Sequence, residues 1–419
     1  MSRGLTISQK ILARGSDRDR VEPGEVVEAR IDLGVILDKV GPHVVNAFRG
    51  LGARKIWDSS RILINHDMIP ASTVRMAENQ RMLNAFGEEQ DIDCGMFGEG
   101  IYHDVVVDKG YVRPGYVIIV TDSHAVTLGG YGAFATGVGI SDMAMAMAKG
   151  SLWFKVPATL RYEISGTLPG RVAAKDLMLQ LLGQGTAAKA TYRAVEYGGP
   201  SVESMSVDSR LVLANLSVEQ GAKVGIVEPN EATMAFLSER LAGERPESVT
   251  SDPNAEFAEL IRMDASRVEP LIAKPHSPDN VVAVSEVAGT RVDQVFLGTC
   301  NGGRGEDLRA AARILEGRRV ARGTRLIVIP TSARVARETE ADGTMQVLRE
   351  AGAICCNANC GPCFGQHQGT LAPGEVCLST GNRNFQGRMG SNQAFVYLGS
   401  PYTAAATALN GEITDPREV

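Results

Sequence analysis

Three of the seven cysteines stand where sulfur could bind a metal or exchange a disulfide. Cys360 and Cys363 enclose Gly361-Pro362 in the run NANCGPCFGQ, and Cys300 lies in FLGTCNGGRGED. A two-residue separation lets one turn of backbone present both sulfurs to a single centre, and Gly-Pro sets such a turn. Cys300 follows a short apolar run and precedes Gly302, Gly303 and the helix-like EDLRAAARILEG, so backbone N–H groups would face whatever it binds. Three thiolates from two loops would satisfy three irons of a four-iron cluster and leave the fourth open; together with His367 they could instead hold zinc. The letters CGPC also spell a thioredoxin-type dithiol, and Pro401 falls at a plausible distance to face one. Against that, GAICCNAN makes a poor preceding strand and the alanine-rich YTAAATALNG reads as helix. Any one of these cysteines taken alone would be an ordinary buried thiol.

The elements that must position these sulfurs alternate between helix and strand. ISQKILARG reads as a helix, RKIWDSSRILINHD as the approach to a strand, and PASTVRMAENQRMLNAFGEEQ as an amphipathic helix with Val74, Met76, Met82, Leu83 and Phe86 toward the core. YVIIVTD is a buried strand that runs into a glycine-rich loop beginning SHAVTLGG, where Asp122 and His124 stand at the junction. TLRYEISGTL, RVDQVFLGT and RLIVIPT read as further strands, and AAKDLMLQLLGQG and LVLANLSVEQGA as helices with AVEYGGP between them, while KPHSPDN (274–280) has the composition of a linker. This predicts an α/β protein of three segments: 1–156, 157–280 and 281–419.

The 419 residues are 44% hydrophobic and 22% charged, which suits a globular chain with room for more than one domain. A net charge of −6 and a pI near 5.7 leave no basic footprint for nucleic acid. MSRGLTISQKILARGSDRDR holds no apolar stretch of signal-peptide length, and no apolar run approaches the roughly 20 residues of a membrane helix. A cytoplasmic protein without a nucleic-acid or membrane partner is expected. Seven cysteines in such a chain argue for thiols or metal ligands over a disulfide framework.

The segment around Cys300, the NANCGPCFG segment and GEVCLSTGNRNFQGRMG resemble the cluster-region signatures of the aconitase superfamily, most closely the large subunits of 3-isopropylmalate dehydratase and the homoaconitases. The likeness extends through HDMIPA, GEGIYHDVV, VTDSHAVTLGGYGAFATGVG, WFKVPATLRYEISGTL and SPYTAAATALNGEITDP, so it covers nearly the whole chain. It implies three α/β domains of the aconitase type around a central cleft, without the swivelling fourth domain. It implies a 4Fe-4S cluster on Cys300, Cys360 and Cys363, whose open iron polarises a substrate hydroxyl. His103 then matches an active-site histidine that Asp122 could orient, with His124 as a second acid-base candidate. Glu196 matches a carboxylate near the iron-bound hydroxyl. Arg383 and Arg388, with Asn382, Ser123 and Arg304, match groups that grip substrate, arginine being suited to bidentate hold on a carboxylate.

The resemblance further implies a hydro-lyase that interconverts 2-isopropylmalate and 3-isopropylmalate by dehydration and rehydration, a step of leucine biosynthesis. The alternatives are another malate-like acid (homoaconitate, citraconate or dimethylmalate), a cluster-bearing sensor without turnover, or the dithiol oxidoreductase. The substrate would be a small di- or tricarboxylate. No Gly-Ser-rich, Arg-containing loop of the swivelling domain is found, so a small subunit carrying that domain and the catalytic serine is the expected partner. Three stretches differ from the family's usual spelling. His66-Asp67 reverses the order Asp-His; both are kept as candidate catalytic residues. Thr299-Cys300-Asn301-Gly302-Gly303-Arg304 replaces Ser-Cys-Thr-Asn-Gly-Arg, and Ala125 stands where the run after Asp122-Ser123-His124 usually has Thr.

Overall fold

The computed structural model describes residues 3–94, 97–185 and 187–419, which pack as two compact units. One comprises Met1–Phe97, Val105–Ser165 and Ala187–Met263; the other comprises Gly98–Asp104, Gly166–Thr186 and Asp264–Val419. Both are α/β, and each contains a largely parallel sheet that helices cover.

In the first unit four parallel strands lie in the order Ile62–Asn65, Leu33–Leu37, Val117–Val120, Phe134–Gly137. The first three are buried along their whole length, as strands covered on both faces must be, which is why they read as unbroken apolar runs. The chain leaves Leu33–Leu37 for one neighbour and later returns to its other side, so a crevice opens between the loops at the carboxyl ends of Leu33–Leu37 and Val117–Val120. A second sheet is ordered Glu259–Asp264, Thr159–Ser165, Ala194–Gly198, Val224–Val227. Val26–Arg30 pairs separately with Ser151–Lys155 as an antiparallel ribbon.

The second unit is built on seven strands: Val281–Ala283, Leu271–Ala273, Phe395–Gly399, Val376–Ser379, Gln294–Leu297, Arg325–Val328, Ile354–Cys355. The last five run parallel and the first two join antiparallel. Here too the order reverses. From Gln294–Leu297 the chain steps outward through Arg325–Val328 to Ile354–Cys355, then crosses back to Val376–Ser379 on the other side. The reversal again leaves a crevice at the carboxyl end, beside Gln294–Leu297.

Several local expectations are corrected. In helix Val74–Gln90, which Thr73 caps, Met76, Leu83 and Phe86 are buried, but Val74 is 78% exposed because it opens the helix ahead of the first turn that packs. KPHSPDN is no linker: Lys274 N–H donates to the Asn280 carbonyl at 2.8 Å, closing a hairpin between Leu271–Ala273 and Val281–Ala283. The glycine-rich stretch after Val117–Val120 is not open loop but a 3-10 helix, Ser123–Tyr131, whose N-cap Asp122 accepts from His124 N–H.

Glycine is required in that helix by close approach. A Cβ on Gly129 would lie 1.8 Å from the carbonyl oxygen of Gly225, and one on Gly130 would lie 2.7 Å from Leu211 Cδ2. The carbonyl is fixed within strand Val224–Val227 and cannot yield. Gly129→Ala is therefore expected to destabilise the chain by about 1–3 kcal/mol, the usual cost of overpacking, read as a lower denaturant midpoint at unchanged slope.

Candidate active site

The sequence-predicted ligands and substrate groups of the second unit all emerge at one end of its sheet. Cys300 follows Gln294–Leu297, Cys360 and Cys363 follow Ile354–Cys355, and Asn382, Arg383 and Arg388 follow Val376–Ser379. His103 joins them through a backbone stitch. Ile101 N–H donates to the Thr331 carbonyl at 2.9 Å, Ala333 N–H to the Glu99 carbonyl at 2.8 Å, and Gly100 forms a bridge with Ser332. Residues 331–333 follow strand Arg325–Val328, so the segment bearing His103 is fastened to the same end.

The cysteines are positioned by tight backbone. Cys360 is the N-cap of a short 3-10 turn, Gly361–Phe364, that contains Cys363, with Asn359 Oδ1 accepting from Gly361 N–H at 2.5 Å. Gly361 has φ +54°, and a Cβ there would lie 2.5 Å from Ile329 Cδ1. The pair therefore does not open an α-helix whose dipole would activate a redox thiol, as the dithiol alternative requires. Thr299, β-branched and buried, adopts φ +69° just before Cys300. Its hydroxyl offsets that strain by accepting from Asn301 N–H at 3.1 Å and donating to Asn382 Oδ1 at 3.5 Å.

With its oxygen so engaged, Asn382 turns Nδ2 to Cys300 Sγ, 3.2 Å away. Arg388 Nη2 reaches Cys363 Sγ at 3.7 Å, and its guanidinium lies 5.1 Å from the Phe364 ring centre. Hydrogen bonds of this kind tune sulfur-ligated clusters. The other cysteines are differently prepared. Burial pushes the thiols of Cys94 and Cys355 up to about 11 and that of Cys377 up to about 12, and it raises Cys356 as well. Among the described residues no three His, Cys, Asp or Glu side chains close around one point as ligands of a single ion would, so the zinc alternative with His367 gains no support. A cubane holds its three cysteines at separate corners. The donor set, three cysteines with N–H groups on two of the sulfurs, fits such a cluster.

Arg304, a predicted substrate residue, is 1% exposed and already engaged. Nε donates to Asp104 Oδ1 at 3.2 Å, and Nη1 donates to the Cys300 carbonyl. One guanidinium thus ties the neighbour of His103 to the Cys300 loop. Asp104 was not foreseen from the sequence; its only signal was adjacency to His103 in GEGIYHDVV. The departure at Asn301-Gly302 also has a structural reason. A Cβ at Gly302 would come within 2.3 Å of Thr380, and Thr380 is pinned by its hydroxyl to Gly298 N–H and the Gly298 carbonyl, both at 3.0 Å.

In the first unit His66, Asp67, Asp122, Ser123 and His124 also sit at carboxyl ends, after Ile62–Asn65 and Val117–Val120. His66 stacks on Phe97 with ring centres 4.4 Å apart, and its Nε2 and Nδ1 approach Asn84 Oδ1 at 2.9 Å and Asp38 Oδ2 at 3.9 Å. Burial pushes His66 down and Asp38 up, which favours the neutral pair. Asp67 Oδ1 accepts from Asn65 Nδ2 at 2.5 Å. His124 Nε2 lies 3.0 Å from Glu219 Oε1, with both side chains 5% exposed; Glu219, hidden in the run NLSVEQGA, was likewise unforeseen. Glu196 lies within strand Ala194–Gly198, not at its end. Its Oε2 accepts from Ser251 Oγ at 2.8 Å and from Arg161 Nη1 at 3.4 Å, and Arg161 also pairs with Glu163 and Glu228.

A model of the aconitase family (aconitate hydratase) matches residues 58–290 and 285–411. The chain is 49% identical over 416 residues to the 3-isopropylmalate dehydratase large subunit 1 of Methanopyrus kandleri, covering 99% of each chain. The chain belongs to the aconitase family. It is 47% identical over 393 residues to a probable methanogen homoaconitase large subunit of Methanosarcina mazei, covering 93% of this chain and all of the other. The aconitase X of Thermococcus kodakaraensis shares the fold, with a TM-score of 0.51 at 12% identity over 92% of each chain. As a member of the aconitase family the chain is a hydro-lyase, the class that adds water to or removes it from a carbon skeleton.

Aconitase-family chemistry moves protons, and Glu196 is a fully buried carboxyl whose charge is displaced by its surroundings. Burial, only partly offset by Ser251 and Arg161, raises its carboxyl from 4.5 to about 7. A carboxyl raised on folding favours the native state while protonated, and that advantage is lost as pH climbs through the folded value. Between about pH 4.5 and 7 the wild-type chain is therefore expected to lose stability relative to Glu196→Gln, by on the order of 1.4 kcal/mol per pH unit. Denaturant titrations of both proteins across that window measure the difference; parallel curves would show an unshifted carboxyl.

Proposed function

We propose that this chain is the cluster-bearing large subunit of a 3-isopropylmalate dehydratase, interconverting 2-isopropylmalate and 3-isopropylmalate. The observation that carries the reading is the cysteine trio at one sheet end, two of its sulfurs facing N–H donors, beside the arginines of the Asn382–Arg388 loop. The near-complete match to a 3-isopropylmalate dehydratase large subunit supports the choice of substrate.

Removing water from a hydroxy diacid has two difficulties: a weakly acidic C–H proton must leave, and hydroxide is a poor leaving group. Bound to Cys300, Cys360 and Cys363, a 4Fe-4S cluster supplies an iron with no protein ligand, a Lewis acid for the hydroxyl. The chain's own residues do the rest. Arg383 and Arg388 hold carboxylates, and the Cys363 and Phe364 contacts keep the Arg388 fork in one plane. His103, held by the stitch to residues 331–333 and by Asp104 next to it, donates the proton that the departing oxygen needs. The first unit contributes its own candidates: His124, oriented by Glu219, with Ser123, Glu196 and the buried His66-Asp67 corner. The proton-abstracting serine comes from a separate small subunit with the swivelling domain; the relatives' description as large subunits supports that division. Among the described residues no helix is long and apolar enough to cross a membrane.

Homoaconitate is the second reading, favoured by the 47% identity to a homoaconitase large subunit. A panel of isopropylmalate, homoaconitate, citraconate and dimethylmalate, assayed anaerobically with the co-expressed small subunit, separates them. A kcat/KM at least tenfold higher for isopropylmalate is expected, corresponding to about 1.4 kcal/mol of discrimination; preference for homoaconitate overturns the assignment. Cys300→Ser and Cys360→Ser should each abolish cluster absorbance after reconstitution. Arg388→Lys should keep the cluster and lose roughly tenfold to hundredfold in kcat/KM, because lysine cannot reproduce a two-pronged grip.

A further inference from the structure

Lys175 opens helix Ala174–Gly183 and is 2% exposed. Taking an ammonium out of water is costly unless its N–H groups find acceptors. Lys175 Nζ donates to the Gly381 carbonyl at 2.5 Å, to Asn301 Oδ1 at 3.2 Å and to the Thr380 carbonyl at 3.5 Å. Those acceptors come from the two loops that flank the crevice beside Gln294–Leu297: Asn301 directly follows Cys300, and Gly381 directly precedes Asn382. The helix start that carries the ammonium is itself fixed. Asp176, fully buried, accepts from Ala173 N–H at 2.8 Å and from Leu271 N–H at 3.0 Å, tying it to the Leu271–Ala273 strand.

The Asn382-to-Cys300 hydrogen bond joins those same two loops. Nothing in the covalent chain fixes their separation, since the partners are 82 positions apart in the sequence. The Lys175 ammonium bridges them through three acceptors, alongside the Thr299 and Thr380 hydroxyls that also join them. We propose that Lys175 is a positioning residue which holds the Asn382 N–H against the Cys300 sulfur, and which thereby sets the electronic character of whatever that sulfur binds. The departure at Asn301 belongs to this device, because its side-chain amide oxygen accepts from the Lys175 ammonium. The inference rests on the cluster reading given above and adds to it a residue outside the set assigned to cluster, substrate or proton transfer.

The test uses the full chain co-purified with its small subunit and reconstituted anaerobically with iron and sulfide. Lys175→Met should load as much cluster as the wild type, since all three cysteines remain. Its Fe–S(Cys) resonance Raman band should move to higher frequency, as expected when a sulfur loses a hydrogen bond, and its reduction potential should fall, the lost positive charge adding to that second change. Asn382→Ala should move the Raman band in the same direction. The double variant should move it no further than Asn382→Ala alone, because both changes act on one bond. Lys175→Arg should not restore the wild-type band, a planar fork being unable to fill the ammonium's site. If Lys175→Met does not yield folded chain, Asn301→Ala carries the test with the same direction of shift expected. A loaded variant whose band is unmoved, or shifts that add in the double variant, overturns the assignment of Lys175. A wild-type chain that takes up no cluster overturns the cluster reading itself, so the two failures are distinguishable.

Discussion

Parallel strands whose order reverses leave a gap at their carboxyl ends that no connecting helix can cover. In this chain one such gap lies beside Gln294–Leu297. Loops from four neighbouring strands end there, bringing Cys300, the Cys360 turn, the 331–333 corner and the Asn382 loop together although they are far apart in sequence. The first unit obeys the same rule with Leu33–Leu37 and Val117–Val120, and it places Asp38, His66 and Asp122 at the corresponding end. The helices and the apolar core are the support that keeps these ends open and fixed.

A gap of this kind is polar, and buried polar groups must be satisfied. Here the satisfaction is organised around two buried cations. Arg304 joins Asp104 to the Cys300 backbone, and Lys175 joins Asn301 to the Thr380-Gly381 carbonyls. Removing either cation strands buried acceptors, one of them a carboxylate, which costs far more than a surface charge would. Arg304 was foreseen as a hand on the substrate. Its observed partners make it equally a strut between the His103 segment and the cysteine loop.

Much of this was legible in the sequence because the strands are buried on both faces and read as apolar runs, and because Cys-Gly-Pro-Cys and Thr-Cys-Asn-Gly-Gly mark turns. The Lys274–Asn280 hairpin was misread because Pro and Ser mark a tight turn as readily as a linker. Lys175 left no trace of its contacts in the sequence, Asp104 left only its place beside His103, and Glu219 left none. A Lys-Asp pair at the head of an apolar helix looks like its solvated start, and Glu219 looks like any charge near a helix end. Their partners lie 126, 200 and 95 residues away, and only the folded chain brings them together. The odd spelling of the Cys300 run was visible, but its reason lay in Thr380.

Thr380 and a side chain at position 302 compete for one volume. A relative with an amide at 302 must therefore have surrendered the threonine or moved its loop, and transplanting either residue alone between such proteins would fail where exchanging both would succeed. Each position thus carries information about the other that neither discloses by itself.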